Sequence, residues 1–161
     1  GMSWDSYKLG DSLHSAVVCF TERANGELWV GLHNGDIYFQ KENQWQRFEP
    51  EEGTPQKPIS ALMFDQQDRL WISSYGEGLY YYSNGRMYNL DASEGLPSNE
   101  IYTAVLDPES KVWCATDRGL GIVWLEKDTK KVVTLGKEKD INLSRNSYIF
   151  SPLRVTAAPN A

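Results

Sequence analysis

The sequence predicts an all-β fold built from a repeated unit, and two observations carry this prediction. The first is the aromatic content, with six Trp, nine Tyr and five Phe among 161 residues. These side chains favour the pleated, half-buried surface of a β-strand. The second is a regular spacing, because Trp29, Trp71 and Trp113 follow one another at intervals of 42 residues. A period of this length indicates a repeat architecture in which each unit is one supersecondary motif.

The first half of each unit aligns with the others without a gap over the thirteen residues that end at the tryptophan. The aligned stretches read VVCFTERANGELW from Val17, ISALMFDQQDRLW from Ile59 and IYTAVLDPESKVW from Ile101. Each stretch begins with an apolar strand, passes through a polar turn and enters a second strand at the tryptophan. We expect each tryptophan to fill the space between one unit and the next.

Two further strands complete each unit. After another turn come the apolar runs IYF at Ile37, LYYY at Leu79 and IVWL at Ile122. The last strand carries two apolar residues three positions apart, such as Met87 and Leu90. Four short strands in one 42-residue period are typical of a four-stranded antiparallel blade of a β-propeller. A β-sandwich or an up-and-down barrel would contain similar strands but would give no reason for so strict a period.

The predicted domain is a single β-propeller-type domain over residues 1–161, with about four blades or a partial propeller. It divides into three whole blades and two terminal segments, at about residues 17–58, 59–100, 101–140, 1–16 and 141–161. The motif WDSY at Trp4 resembles an outermost strand, and the run from Leu143 resembles an innermost strand. We expect the two terminal segments to supply partial strands of a further blade, because this would cover open strand edges.

Composition excludes several functional classes. The formal net charge of -6 offers no basic surface for phosphates, so no nucleic-acid partner is expected. No apolar run is long enough to span a bilayer, and no signal peptide is recognisable, so no direct membrane insertion is expected. Cys19 and Cys114 stand apart, without the spacing of a zinc site or a redox pair. We expect both to be free thiols, and we expect no metal site and no cofactor.

The middle unit carries a motif of its own. It reads ISALMFDQQDRLWISSYGEGLYYY from Ile59 and continues to SEGLPSNEI, which ends at Ile101. This pattern resembles the two-component regulator propeller repeat, and the resemblance extends from about Val17 to Lys137. That family forms extracytoplasmic sensors of hybrid histidine kinases and often recognises glycan-derived ligands. The resemblance therefore implies a periplasmic or extracytoplasmic sensor module whose ligand is a small molecule or a carbohydrate.

In a propeller, the loops between the second and third strands share one edge with the links between blades. The predicted binding residues lie in these loops and are His33, Asn34, Tyr75, Glu77, Asp117 and Arg118. An aromatic ring with acidic, amide and basic groups around it suits a polar ligand such as a sugar. Tyr75 would stack on the ligand, and Glu77 or Arg118 would form hydrogen bonds with it.

Catalytic signatures are sparse. The chain contains two histidines, His14 and His33, and lacks serine-hydrolase, zinc-protease and phosphate-loop motifs. We therefore expect a non-catalytic protein, and two alternatives stay open. In the first, two copies form a homodimer through their end blades and close a larger ring, which the solution mass would reveal. In the second, the chain is a metal-dependent lyase, similar to a distantly related propeller lyase family, and His33 acts together with Glu77.

Overall fold

The computed structural model describes residues 15–127 and 129–136. It confirms the all-β class, because the described residues form twelve strands and one short 3-10 turn at Ala92–Glu94. In this part of the chain no helix is long and apolar enough to cross a membrane. The strands predicted around Trp4 and Leu143 lie outside the described residues.

The twelve strands form three four-stranded antiparallel sheets, and neighbours in each sheet are neighbours in sequence. Blade 1 contains Val17–Glu22 (β1), Leu28–Leu32 (β2), Ile37–Lys41 (β3) and Gln44–Arg47 (β4). Blade 2 contains Ile59–Phe64 (β5), Leu70–Ser74 (β6), Gly78–Ser83 (β7) and Arg86–Leu90 (β8). Blade 3 contains Ile101–Leu106 (β9), Val112–Thr116 (β10), Gly119–Glu126 (β11) and Thr129–Gly136 (β12).

Two apolar cores lie between the blades. Trp29 of blade 1 packs with residues of blade 2 such as Leu62, and Trp71 of blade 2 packs with residues of blade 3 such as Val112. Both indoles are buried, which confirms that they fill the space between neighbouring blades. Trp113 is only half-buried, because it points to the opposite side of β10 from Val112 and so faces away from blade 2.

The first turn of blade 2 is held by one buried carboxylate. Oδ1 of Asp65 accepts hydrogen bonds from the backbone N–H of Gln67 at 2.9 Å and of Arg69 at 3.0 Å. Oδ2 accepts from Nε of Arg69 at 2.6 Å and from the indole Nε1 of Trp71 at 2.8 Å. A single side chain thus closes the turn, pairs with a guanidinium and satisfies the buried indole N–H, which would otherwise lose its hydrogen bond.

Blade 3 repeats this arrangement 42 residues later. Oδ1 of Asp107 accepts from the backbone N–H of Glu109 and of Lys111, each at 2.9 Å. Oδ2 accepts from Nε1 of Trp113 at 2.9 Å. Burial alone would raise the pKa of this carboxyl, but the hydrogen bonds from Trp113, Lys111 and Glu109 lower the pKa overall.

Blade 1 reaches the same result with different residues. Arg23 occupies the position of the aspartate, and Oε2 of Glu27 accepts the indole hydrogen bond of Trp29 at 2.9 Å. The backbone N–H of Glu27 donates to Oδ1 of Asn25 at 3.0 Å. Arg23 in turn donates through Nε to Oδ1 of Asp68 at 2.7 Å, and this ion pair connects the first turns of blades 1 and 2.

Candidate functional site

The loops between the second and third strands of each blade meet the links between blades at one edge of the sheets, which we call the loop edge. The first link, residues 48–58, joins blades 1 and 2, and the second link, residues 91–100, joins blades 2 and 3. Gly35, in the β2–β3 loop, has φ +92 and approaches the first link so closely that a Cβ atom would lie 2.0 Å from the carbonyl oxygen of Pro55. Only glycine fits there, because the backbone is left-handed and leaves no room for a side chain. The backbone N–H of Tyr75 donates to the carbonyl of Pro58 at 2.9 Å, which holds the β6–β7 loop against the same link.

The second link is held by Asn99. Its carbonyl oxygen accepts hydrogen bonds from the backbone N–H of Gly76 at 2.9 Å and of Gly78 at 3.0 Å. Its side-chain Oδ1 accepts from the backbone N–H of Ala92 at 2.7 Å. Tyr75 also forms an isolated antiparallel bridge with Glu100. The β6–β7 loop is therefore fixed between two links, and its backbone conformation is set by both.

A β-bulge recurs at the same place in all three innermost strands. In blade 2, Ile59 pairs with Ser74 and Ala61 pairs with Ser73, so the residue between Ile59 and Ala61 is left out of the ladder. The register shifts at the corresponding point of blades 1 and 3. The three residues left out are Val18, Ser60 and Tyr102. A bulge redirects the side chain of its extra residue, and the side chains of Val18 and Tyr102 are exposed beside the loop edge. The half-buried Ser60 instead shares a hydrogen bond with the hydroxyl of Ser73 at 2.8 Å.

The bulge of blade 3 places an aromatic ring next to the predicted stacking residue. The rings of Tyr75 and Tyr102 have centroids 5.6 Å apart and an interplanar angle of 34°. They are 41% and 49% exposed, so the pair presents a continuous aromatic surface to solvent. The exposed Glu100 lies two residues before Tyr102 and bridges Tyr75 through its backbone. Within the described residues this is the one aromatic pair at the loop edge. Tyr75 was predicted as a binding residue, and Tyr102 was not.

Sequence reasoning missed Tyr102 and Glu100 because it searched the loops and not the first residues of the innermost strands. A signal was present in the alignment, since Tyr102 occupies the same position as Val18 and Ser60. An aromatic residue at a position where the other units carry smaller side chains is a candidate for contact with a ligand.

His33 and Asn34 lie in the exposed β2–β3 loop of blade 1, where the asparagine is occupied by turn contacts. Its Nδ2 donates to Oδ2 of Asp36 at 2.8 Å, and its Oδ1 accepts from the backbone N–H of Asp36 at 3.2 Å. The backbone N–H of His33 donates to the carbonyl of Ala16 at 2.9 Å. Asn34 therefore stabilises the turn, and the imidazole of His33 is the exposed group of this loop.

Glu77 is also tied to the scaffold. Its Oε2 accepts from the backbone N–H of Gln56 at 2.8 Å and from the hydroxyl of Tyr80 at 3.5 Å, and its carbonyl oxygen accepts from Nδ2 of Asn89 at 2.9 Å. Burial, followed by the neighbouring Glu77 carboxylate, raises the pKa of Tyr80 to about 12. These contacts give Glu77 a role in positioning the first link, and a direct contact with a ligand stays a prediction.

Arg118 is an exposed predicted residue in the β10–β11 turn of blade 3. It is 74% exposed, and its Nε lies 3.6 Å from Oδ2 of Asp117. The β10–β11 turn is held by Thr116, whose Oγ1 donates to the carbonyl of Gly119 at 2.8 Å. The Arg118 guanidinium is therefore weakly restrained, and its contact with a ligand stays a prediction.

The six predicted residues are thus spread over the loops of three blades. Within residues 15–127 and 129–136, no hydrogen bond, ion pair or ring contact joins the side chains of His33, Tyr75 and Arg118 to one another. The Tyr75–Tyr102 pair is a ring contact that connects blades 2 and 3 at this edge. The assignment of the six residues to a binding site stays a prediction.

The two cysteines lie within strands β1 and β10. Cys19 and Cys114 are free thiols, as expected. Burial raises the pKa of each to about 12, so neither is ionised at neutral pH. No group of three or more His, Cys, Asp or Glu residues in the described part of the chain is arranged to hold a metal ion.

Comparison with solved structures supports the fold. The extracellular domain of a hybrid two-component system from B. thetaiotaomicron matches with a TM-score of 0.61 at 22% identity, over 74% of this chain and 17% of that one. A catalytically inactive virginiamycin B lyase from Staphylococcus aureus, solved with quinupristin, matches with a TM-score of 0.61 at 14% identity, over 81% of this chain and 44% of that one. At these identities the likeness shows the fold alone.

A third similar structure is PorZ, a surface component of the type-IX secretion system of Porphyromonas gingivalis. It matches with a TM-score of 0.56 at 18% identity, over 70% of this chain and 18% of PorZ. The present chain therefore spans less than half the length of each of these three proteins. No curated protein matches the sequence.

The family model of the two-component regulator propeller matches residues 53–76. This segment contains the end of the first link, strands β5 and β6 and the beginning of the Tyr75 loop. The match confirms the resemblance drawn from the middle unit, and the similar extracellular domains share its fold. Residues 53–76 therefore match the two-component regulator propeller repeat, and the described part of the chain has an all-β propeller fold.

Proposed function

We propose that this chain is a non-catalytic recognition module that binds a neutral oligosaccharide, or a similar small polar ligand, at the loop edge. The observation that carries the proposal is the exposed pair formed by Tyr75 and Tyr102. Each of the two rings presents an apolar face of the kind that packs against the C–H face of a sugar ring. The second ring is delivered by a β-bulge, a device that often occurs beside functional sites.

The polar groups around the pair suit a ligand rich in hydroxyl groups. Glu100 is exposed beside the two rings, and carboxylates accept hydrogen bonds from hydroxyl donors. Arg118, in the β10–β11 turn of blade 3, offers several N–H donors and is 74% exposed. The net charge of -6 favours an uncharged ligand over an anionic one.

The proposed cellular role is that of a sensor module outside the cytoplasm. The family match and the fold likeness to extracellular domains of two-component systems support this role. The lyase likeness concerns the fold only. A lyase mechanism would require the carboxylate of Glu77 together with His33. In this chain that carboxylate accepts hydrogen bonds from Gln56 and Tyr80.

Calorimetric titration with cello-, malto- and xylo-oligosaccharides as probes tests the proposal. We expect at least one probe to bind, and we expect Tyr75→Ala and Tyr102→Ala each to weaken its affinity by about tenfold or more, equivalent to about 1.4 kcal/mol. Tyr102→Phe keeps the ring and should retain most of the affinity. Arg118→Ala should have a smaller effect, because the guanidinium is less restrained.

Tyr88→Ala is the matched control. Tyr88 is also exposed and also belongs to a ring pair, stacking on Tyr81 with centroids 4.7 Å apart. It lies in the outermost strand β8, away from the loop edge, so its removal should leave affinity unchanged. If the double variant Tyr75→Ala, Tyr102→Ala binds as tightly as the unchanged protein, or if no probe binds the unchanged protein, the proposal is wrong.

A further inference from the structure

Blade 1 leaves exposed an apolar surface that the other blades bury. We define the incoming face of a blade as the surface that packs against the preceding blade. In blade 2 this face includes Ile59, Leu62 and Leu70, and all three are buried against blade 1. Their counterparts 42 residues earlier are Val17, Phe20 and Leu28, and all three are exposed. The contrast is largest between Leu62, at 4%, and Phe20, at 77%.

Blade 3 exposes its other face, the one that does not pack against blade 2. We define the outgoing face as the surface that packs against the following blade. In blade 2, Leu90 pairs with Leu79 and is fully buried beneath blade 3. Its counterpart in blade 3 is Leu135, which pairs with Leu120 and is 41% exposed. Val133 on the same strand is likewise exposed, and Trp113 on this face is half-buried.

The two exposed faces are the two halves of an interface that the molecule already forms twice. Between blades 1 and 2, the outgoing Trp29 packs in one core with the incoming Leu62 and Leu70. Between blades 2 and 3, the outgoing Trp71 packs in one core with the incoming Ala104 and Val112. The same repeat positions supply both contacts, and within residues 15–127 and 129–136 no further blade packs against the incoming face of blade 1 or the outgoing face of blade 3.

We propose that a second copy of this chain covers these faces. The outgoing face of blade 3 in one copy packs against the incoming face of blade 1 in its partner, and the same contact formed a second time closes a ring of two copies. Exposed apolar surface of this kind marks interaction sites. The contact is head-to-tail, and such contacts end in a ring when the rotation between copies closes. The Tyr75–Tyr102 pair takes no part in it, so this proposal is independent of ligand binding.

The solution mass of the full 161-residue chain is the first test. Light scattering after size-exclusion chromatography should give twice 18.3 kDa for the unchanged protein. Phe20→Glu and Leu135→Glu should each give the single-chain mass. Each change puts a charge into one kind of face, where it would have to be buried without a partner. Because every contact in the ring uses one incoming and one outgoing face, either change alone damages both contacts.

Mixing the two variants sharpens the test. The Phe20→Glu copy keeps an intact outgoing face, and the Leu135→Glu copy keeps an intact incoming face. An equimolar mixture should therefore recover a two-copy species through one undamaged contact, although neither variant forms it alone. Val18→Glu is the control, because Val18 is exposed and apolar but belongs to the bulge and not to the incoming face. It should keep the dimer.

Three results would overturn the proposal. One is a single-chain mass at every concentration that stays in solution, which would mean that another part of the same polypeptide covers both faces or that they stay open. Another is a dimer disrupted by only one of the two variants, which would indicate a contact between identical faces. The third is a dimer that neither variant affects. The circular dichroism spectrum of each variant must match that of the unchanged protein, because only a folded variant gives an informative solution mass.

Discussion

The first turns of blades 1 and 2 perform one task with different residues. In blade 2 the buried Asp65 accepts the indole hydrogen bond of Trp71, and in blade 1 Glu27 accepts that of Trp29. The fold therefore requires an acceptor at one point in space and not an aspartate at one position in the sequence. Because blade 1 does not use its equivalent position for this purpose, Arg23 is available to pair with Asp68 of the next blade.

The largest loss of stability is expected from removing a tryptophan whose indole N–H is bonded by one of these turns. Trp71→Ala should cost about 3–5 kcal/mol of unfolding free energy, because it leaves a cavity between blades 2 and 3. Trp113→Ala should cost clearly less, because Trp113 is half-buried on the outgoing face of blade 3. Urea unfolding followed by circular dichroism measures both. Equal losses of unfolding free energy would contradict the expectation that the more buried tryptophan contributes more to stability.

A smaller loss is expected from removing the acceptors. Asp65→Ala should cost about 3 kcal/mol, because it leaves Arg69 and the Trp71 indole without their buried partner. Glu27→Ala should cost about 1 kcal/mol, since one hydrogen bond to Trp29 is the main loss. The same unfolding measurement ranks the two variants. A loss for Glu27→Ala as large as that for Asp65→Ala would contradict the distinction between the turns.

The third turn offers a pH test. The folded-state pKa of Asp107 lies below the ordinary value of 3.8. Its ionised form therefore contributes stability that is present above pH 3.8 and is lost as the pH falls through the lower folded-state pKa. Asp107→Asn removes this titration, so its stability should fall less steeply with acid than that of the unchanged protein. Parallel slopes between neutral pH and pH 3 would count against the assignment.

The smallest effect belongs to the ion pair between blades 1 and 2. Arg23 and Asp68 are partly exposed, and exposed pairs contribute about 0.2–1 kcal/mol. A double-mutant cycle with Arg23→Ala and Asp68→Ala should give a coupling energy in this range that shrinks in high salt, because salt screens exposed charges. A coupling energy that high salt leaves unchanged would mean that the pair is held by more than surface electrostatics.

Much of this fold followed from the sequence. The spacing of Trp29, Trp71 and Trp113 predicted the three sheets, because each tryptophan enters the same strand of its unit. The loop edge was predicted as well, since repeated antiparallel strands bring equivalent turns to one side. Less could be predicted of individual contacts. Glu77 was expected to face a ligand, yet its carboxylate holds the backbone of Gln56, a contact that depends on where the first link passes and not on local pattern.

Tyr102 was missed for a different physical reason. Strand periodicity assigns side chains to alternate faces, and a bulge interrupts that alternation by one residue. The sequence around Ile101 reads as an unbroken apolar strand, so nothing local marks where the ladder skips a residue. Three-dimensional pairing was needed to show that Ile101 and Thr103 belong to the ladder and that the tyrosine between them does not.

The recurring bulge also bears on how such a domain can change its specificity. The ladder skips this extra residue, and neither apolar core includes it. In blade 2 the extra residue, Ser60, shares a hydrogen bond with the buried hydroxyl of Ser73 at 2.8 Å, whereas Val18 and Tyr102 are exposed. Within this one chain the position already holds Val18, Ser60 and Tyr102. Substitutions of the exposed Val18 and Tyr102 should cost little stability while altering the chemistry shown to solvent. A combinatorial library confined to these two positions would be a direct route to new ligand preferences on an unchanged framework.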